Sequence, residues 1–255
     1  MPSGSHRTAD GRPRAFAALA SRVRVLLRVR RTIMVTDVGV GSPAGDPNSS
    51  TSDSGAVLES ERRFDDALRV ATEHLDRSGL PWALIGGVAS AAYGRPRWTK
   101  DIDVFCRPHH APELLGALAL AGMDTEETNP QWIFKAWHAE VQIDMIFKTA
   151  GLYFDDEMER RVRRCDFRDV RVPVVPPEDL VVIKAMMHDE DTPRHWYDAL
   201  GVVANAAAAD EIDWDYLLFR ARQGPRRVLS LLLYAQSCEQ RVPQWVGQKQ
   251  VGHIH

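Results

Sequence analysis

The hydrophobic pattern changes period along the chain, and each change marks an element. In "ESERRFDDALRVATEHLDRSGL", Phe64, Leu68, Ala71 and Leu75 recur at helical spacing with charges between them, which predicts an amphipathic helix. Gly79 ends it and Pro81 blocks its continuation. "WALI" (82–85) is a short apolar run of buried-strand type, turned by Gly86 and Gly87 into "VASAAYG", a short helix of small residues. "DIDVFC" (101–106) sets Asp101, Asp103 and Phe105 against Ile102, Val104 and Cys106, the period of a strand. "APELLGALALAG" (111–122) predicts a helix ended by Gly122. "QWIFKAWH" (131–138) and "EVQIDMIF" (140–147) predict a hairpin turning at His138-Ala139, with Gln142, Asp144 and Ile146 on one face. "VRVPVV" (170–175) predicts a last edge strand, because Pro173 and the prolines that follow it suit a rim. Beyond Pro177 the pattern is helical over 178–188, 194–206, 213–222 and 225–240.

The expected fold is therefore α/β (α+β): a small mixed β-sheet core with flanking helices over 58–176, then a helical region over 177–242. Residues 1–57 differ from the rest. Between positions 6 and 31 eight arginines face one acid, Asp10, and a Gly, Ser, Pro and Asp stretch follows from Met34. That composition predicts a disordered basic arm and linker, or an over-extended start, with RNA or membrane-surface contact as the rival reading. Residues 243–255 are expected to be a disordered tail.

Composition narrows the field. The 255 residues are 44% hydrophobic and 26% charged with net charge −3, so no broad nucleic-acid footprint is implied. Cys106, Cys165 and Cys238 have neither zinc spacing nor a disulfide framework, which suits a reducing cytoplasm. No apolar run approaches the ~20 residues of a membrane span, so no membrane partner is expected.

The chemistry concentrates in "LIGGVASAAYGRPRWTKDIDVF". Asp101 and Asp103, two apart on a strand, project from the same face. Two such charges repel unless a cation lies between them. Asp144, on another strand, can reach the same cation. Three carboxylates beside a Gly-Gly turn suit magnesium, which takes oxygen ligands and shares its shell with phosphates. Glycines let backbone N–H groups approach those phosphates.

The stretch resembles the signature of the DNA polymerase β-type nucleotidyltransferase superfamily: strand, Gly-Gly turn, short helix, then Asp-x-Asp on the next strand. Gly86, Gly87, Asp101 and Asp103 match it, and Asp144 in "VQIDMIF" matches the third carboxylate. Within that superfamily "RWTKDIDVF" is similar to the form found in bacterial AbiEii-like and minimal nucleotidyltransferase proteins. Lys184 and Asp198 fall on a helical Lys…Asp pattern of the same group, although His195 stands where an acid is usual.

The resemblance implies transfer of a nucleoside monophosphate from a nucleoside triphosphate to a hydroxyl on RNA, protein or a small molecule. It implies two Mg2+ ions, with Mn2+ as a substitute, held by Asp101 and Asp103, and one of them also by Asp144. Gly86, Gly87 and the hydroxyl of Ser90 or Thr99 would hold the triphosphate, and Lys184 or Arg97 would neutralise the departing pyrophosphate. A toxin-like role would add a cognate antitoxin as partner. Two rivals stand beside this: a catalytically inactive nucleotide- or RNA-binding module, and a glycosyltransferase using Asp-x-Asp. Several residues carry plainer expectations. Asp198 would pair with Arg194 along one helix face. His188 and His195 would lie on helix surfaces, Trp132, Trp137 and Trp196 in the core, and "DDEMERRVRR" (155–164) on a solvated helix or loop.

Overall fold

The computed structural model describes residues 49–251. The basic segment before position 49 and the last four residues lie outside the described residues. Helix α1 (Ser49–Arg77) buries Phe64, Leu68, Ala71 and Leu75 as its periodicity predicts, and it begins nine residues before the expected boundary. Strand β1 (Trp82–Leu84), helix α2 (Gly86–Ala92), strand β2 (Asp101–Cys106) and helix α3 (Ala111–Leu120) follow in the predicted order. Then come strands β3 (Asp124–Asn129), β4 (Ile133–His138) and β5 (Val141–Ile146), helix α4 (Asp156–Arg161), and strands β6 (Arg163–Phe167) and β7 (Val170–Val174). Helices α5 (Pro177–Met187), α6 (Arg194–Ala208), α7 (Trp214–Arg220), α8 (Pro225–Ser237) and α9 (Gln244–Val251) complete the described chain, with a short 3-10 turn, Ala221–Gln223, between α7 and α8.

The seven strands form one mixed sheet in the order β3-β4-β5-β2-β1-β7-β6. β2 runs parallel to β5 and antiparallel to β1, and β1 runs parallel to β7. The core lies between this sheet and the helices: Ile102, Val104 and Phe105 of β2, Ile143 and Met145 of β5, and Leu180 and Val181 of α5 are fully buried. The C-terminal helices belong to the same compact unit as the sheet.

Five points need correction. "VRVPVV" is not an edge strand, because β6 pairs along its outer side from Arg163↔Val174 to Phe167↔Val170. Its Pro173 is tolerated by another route. Val175 donates its N–H to Leu84 O on the β1 side, so by strand alternation Pro173 also faces β1, where it has no N–H to give. The β1–β7 ladder is accordingly a single pairing, Leu84↔Val174. β6 itself went unpredicted because "RRCDF" has no apolar alternation. Its arginines are tied down, Arg163 to Glu211 and Arg164 to Asp76. β3, "DTEETN", is equally silent in sequence, because an exposed edge strand buries nothing. Finally, the expected tail holds α9, whose Val246 is fully buried, and Trp132 is half-exposed at the hairpin tip rather than in the core.

Candidate active site

The β1-to-α2 turn is pressed against β2. Ile85 donates its N–H to Asp103 O at 2.9 Å. The next residue, Gly86, has φ +67°, and a Cβ there would lie 1.7 Å from Asp103 Oδ2. Both the left-handed backbone and the missing side chain are thus required. A Cβ on Gly87 would lie 2.5 Å from Thr99 Oγ1 and 3.2 Å from Arg97 Nη2, and the Gly87 N–H bonds to the Asp103 carboxylate.

Asp101 and Asp103 share a face of β2, half-buried between the fully buried Ile102 and Val104. The parallel ladder to β5 sets Asp103 directly opposite Asp144 and Asp101 opposite Gln142. One carboxylate oxygen from each of Asp101, Asp103 and Asp144 lies within 4.8 Å of the others. Burial, and then the charge of Asp101, push Asp103 up to about 6, against the pull of Lys184 and the Gly87 N–H. Thr99 donates its hydroxyl to Asp101 Oδ1 at 2.7 Å. Asp144 Oδ1 accepts from Gln142 Nε2 at 2.7 Å and from Lys135 Nζ at 3.0 Å.

A second charged group closes the cleft. Asp198 is buried on α6 and does not pair with Arg194. It accepts from Lys184 Nζ on α5 at 3.0 Å and from Arg97 Nε at 3.0 Å. Lys184, 2% exposed, is held by that carboxylate rather than reaching solvent. Burial lowers its pKa, and Asp198 and Asp103 oppose the shift. Ile85, Gly86, Arg97, Asp101, Asp103, Lys184, Met187, Arg194 and His195 line one cleft, with Ile146, Thr149 and Ile183 completing its wall. His195 is therefore a cleft residue, not a helix-surface one. Burial, then Lys184 and Arg194, pull its pKa down to about 4, so it is neutral at pH 7.

The geometry brings Gly86, Gly87, Arg97, Asp101, Asp103, Asp144 and Lys184 together. Two expected phosphate hydroxyls are committed elsewhere. Ser90 is fully buried and donates to Gly86 O at 2.7 Å, bracing the turn, and Thr99, nearly buried, orients Asp101. Lys135 and the role of Asp198 escaped the sequence reading. Lys135 was findable: counting back through the hairpin, where His138 pairs with Val141, puts position 135 opposite 144.

Residues 64–217, more than half of the chain, match the model of a family described as a nucleotidyl transferase of unknown function (DUF2204). No curated protein sequence matches the chain. Among solved structures, the antibiotic-resistance factor ANT(2'')-Ia in complex with adenylyl-2''-tobramycin is 18% identical, with a TM-score of 0.48 over 63% of this chain and 97% of that one. The lincosamide antibiotic adenylyltransferase LnuA, lincomycin-bound, is 15% identical, with a TM-score of 0.40 over 56% of this chain and 95% of that one.

Proposed function

The chain belongs to this nucleotidyl transferase family, and we propose that it moves a nucleoside monophosphate from a nucleoside triphosphate to an acceptor hydroxyl with the help of divalent metal. The observation that carries the proposal is the convergence of Asp101, Asp103 and Asp144 within 4.8 Å beside a turn that has no room for a side chain. Three carboxylates at that spacing repel, and burial enlarges the penalty. A hard dication relieves it, and an all-oxygen donor set suits Mg2+, with Mn2+ as a substitute. Asp101 and Asp103 would hold two ions, and Asp144 one of them. Bound there, the metal supplies Lewis acidity at phosphoryl oxygens and lowers the pKa of a coordinated hydroxyl.

The protein's own part is positioning and fixed charge. The Gly86-Gly87 backbone admits phosphate oxygens close to the carboxylates. Lys184 and Arg97 bring positive charge to the cleft, where it balances the charge that develops on departing pyrophosphate, and Asp198 fixes both cations. Thr99 holds the rotamer of Asp101, and Gln142 holds that of Asp144.

The acceptor is an RNA end, a protein side chain or a small molecule. The resemblance of the Lys184 and Asp198 positions to the AbiEii-like helical pattern, in which His195 replaces an acid, is the ground for a toxin-like member with a cognate antitoxin. Three free cysteines suit the cytoplasm, and among the described residues no helix is long and apolar enough to cross a membrane. The test incubates purified protein with each labelled nucleoside triphosphate and Mg2+, together with cellular RNA, protein or small-molecule extract. Metal-dependent label in one fraction, absent with Asp101→Asn, is the expected result. No transfer from any nucleotide to any fraction would overturn the proposal.

A further inference from the structure

The sheet carries the acidic site outward as a row of charges on one face. Asp103 pairs with Asp144 across β2–β5, Asp144 with Lys135 across β5–β4, and Lys135 with Glu126 across β4–β3. We infer that Lys135 is a resident counter-ion of the acidic cluster, displaced from Asp144 when a divalent metal enters, with Glu126 as its second partner. The inference rests on the metal reading above and names a residue that regulates that site.

Lys135 Nζ and Gln142 Nε2 both bond to Asp144 Oδ1. That oxygen is thus occupied by two donors, one of them charged. A dication reaching Asp144 meets the positive charge of Lys135 at short range. The pair is only partly exposed, 25% for Lys135 and 15% for Asp144, so water screens that repulsion incompletely. Lys135 needs somewhere to go, and Glu126 lies directly across the antiparallel ladder, within about 4.5–5.5 Å between Cβ atoms. The Glu126 side chain is exposed and makes no ion pair among the described residues. A lysine stem has the reach and rotamer freedom to exchange one carboxylate for the other. In the metal-free protein Lys135 offsets the repulsion among three acids, and in the metal-bound protein that service passes to the ion.

The test is a Mn2+ binding isotherm on the full chain without nucleotide, with melting temperatures measured in chelator. Lys135→Met should bind Mn2+ roughly tenfold more tightly than the parent, and melt at a lower temperature in chelator. Lys135→Arg, which keeps the charge, should return to parental affinity. Glu126→Gln should bind Mn2+ several-fold more weakly, because the displaced lysine has lost its second partner; it carries the test if Lys135→Met does not fold. Mn2+ affinity in Lys135→Met equal to or weaker than the parent's, or parental affinity in Glu126→Gln, overturns the inference. A parent chain that binds no Mn2+ at all overturns the metal reading itself, and this inference with it.

Discussion

Asp103 on β2 and Asp144 on β5 stand directly opposite each other across a parallel ladder. Strand register, not local sequence, thus sets two carboxylates face to face, with Asp101 completing the cluster. Such a cluster costs stability where its charges are not offset, and Lys135 beside Asp144 offsets part of the repulsion.

Asp103→Asn separates those two effects. Transfer should fall by about a thousandfold or more, because a negative ligand is lost where charge develops. Stability should move the other way. The folded carboxyl titrates at about 6 against an ordinary 3.8, so between those values the folded chain binds more proton than the unfolded one. Parental stability therefore falls as pH rises through that window. The Asn variant lacks the fall and should be about 1–3 kcal/mol more stable than the parent at pH 8 in chelator. Urea unfolding at pH 5 and pH 8 reads the difference, and equal stability at pH 8 would contradict it.

Gly86→Ala should lower stability through two separable terms. The left-handed φ costs about 1 kcal/mol for any side chain, and the new methyl collides with Asp103. Combining Gly86→Ala with Asp103→Ala removes the two closest contacts, those with the carboxyl group at 1.7 and 2.5 Å, and leaves the Cβ contact at 2.9 Å and the φ term. The double variant should thus be more stable than the sum of the singles by about 1 kcal/mol or more. Strict additivity would show that the turn yields without touching Asp103.

The Lys184–Asp198 pair gives a third expectation. Asp198→Ala leaves Lys184, 2% exposed, without its carboxylate and strands Arg97 beside it. The cost should be about 3–5 kcal/mol. Replacing both partners, Lys184→Met with Asp198→Leu, should cost markedly less, because the fully buried charge is gone and Arg97, whose side chain is 24% exposed, still reaches water. Denaturant midpoints decide it: a double variant as unstable as Asp198→Ala would rule out a charge-pair origin.

His195 supplies a pH signature of opposite sign to Asp103. Burial and the neighbouring cations lower it from 6.5 to about 4. Between those values the unfolded chain binds more proton, so the His195 contribution is present above about pH 6.5 and is lost as pH falls toward 4. His195→Gln should flatten the acid limb of a melting-temperature profile. Superimposable profiles for parent and variant would place the imidazole in open solvent.

Much of this molecule was legible before folding. The helix over Phe64, Leu68, Ala71 and Leu75, the strand alternation around Asp101 and Asp103, and the hairpin leading to Asp144 follow from periodicity, because each element buries its own apolar residues. The silent elements were those that bury little of their own. β3 is polar at the sheet edge, and β6 is held by ion pairs to residues distant in sequence.

The sequence by itself determined where the two glycines turn the chain and where Asp101, Asp103 and Asp144 fall on strands. It did so because turn conformation and side-chain alternation are properties of a few consecutive residues. Only the tertiary structure decided the partners. Asp198 takes Lys184 and Arg97 instead of its helix neighbour Arg194, Ser90 turns inward to brace Gly86, Thr99 serves Asp101, and Lys135 meets Asp144. Those choices depend on strand register and on how α5 and α6 close over the sheet. A buried charge takes the partner that packing brings within reach, and its distance along the chain says nothing about which one that is.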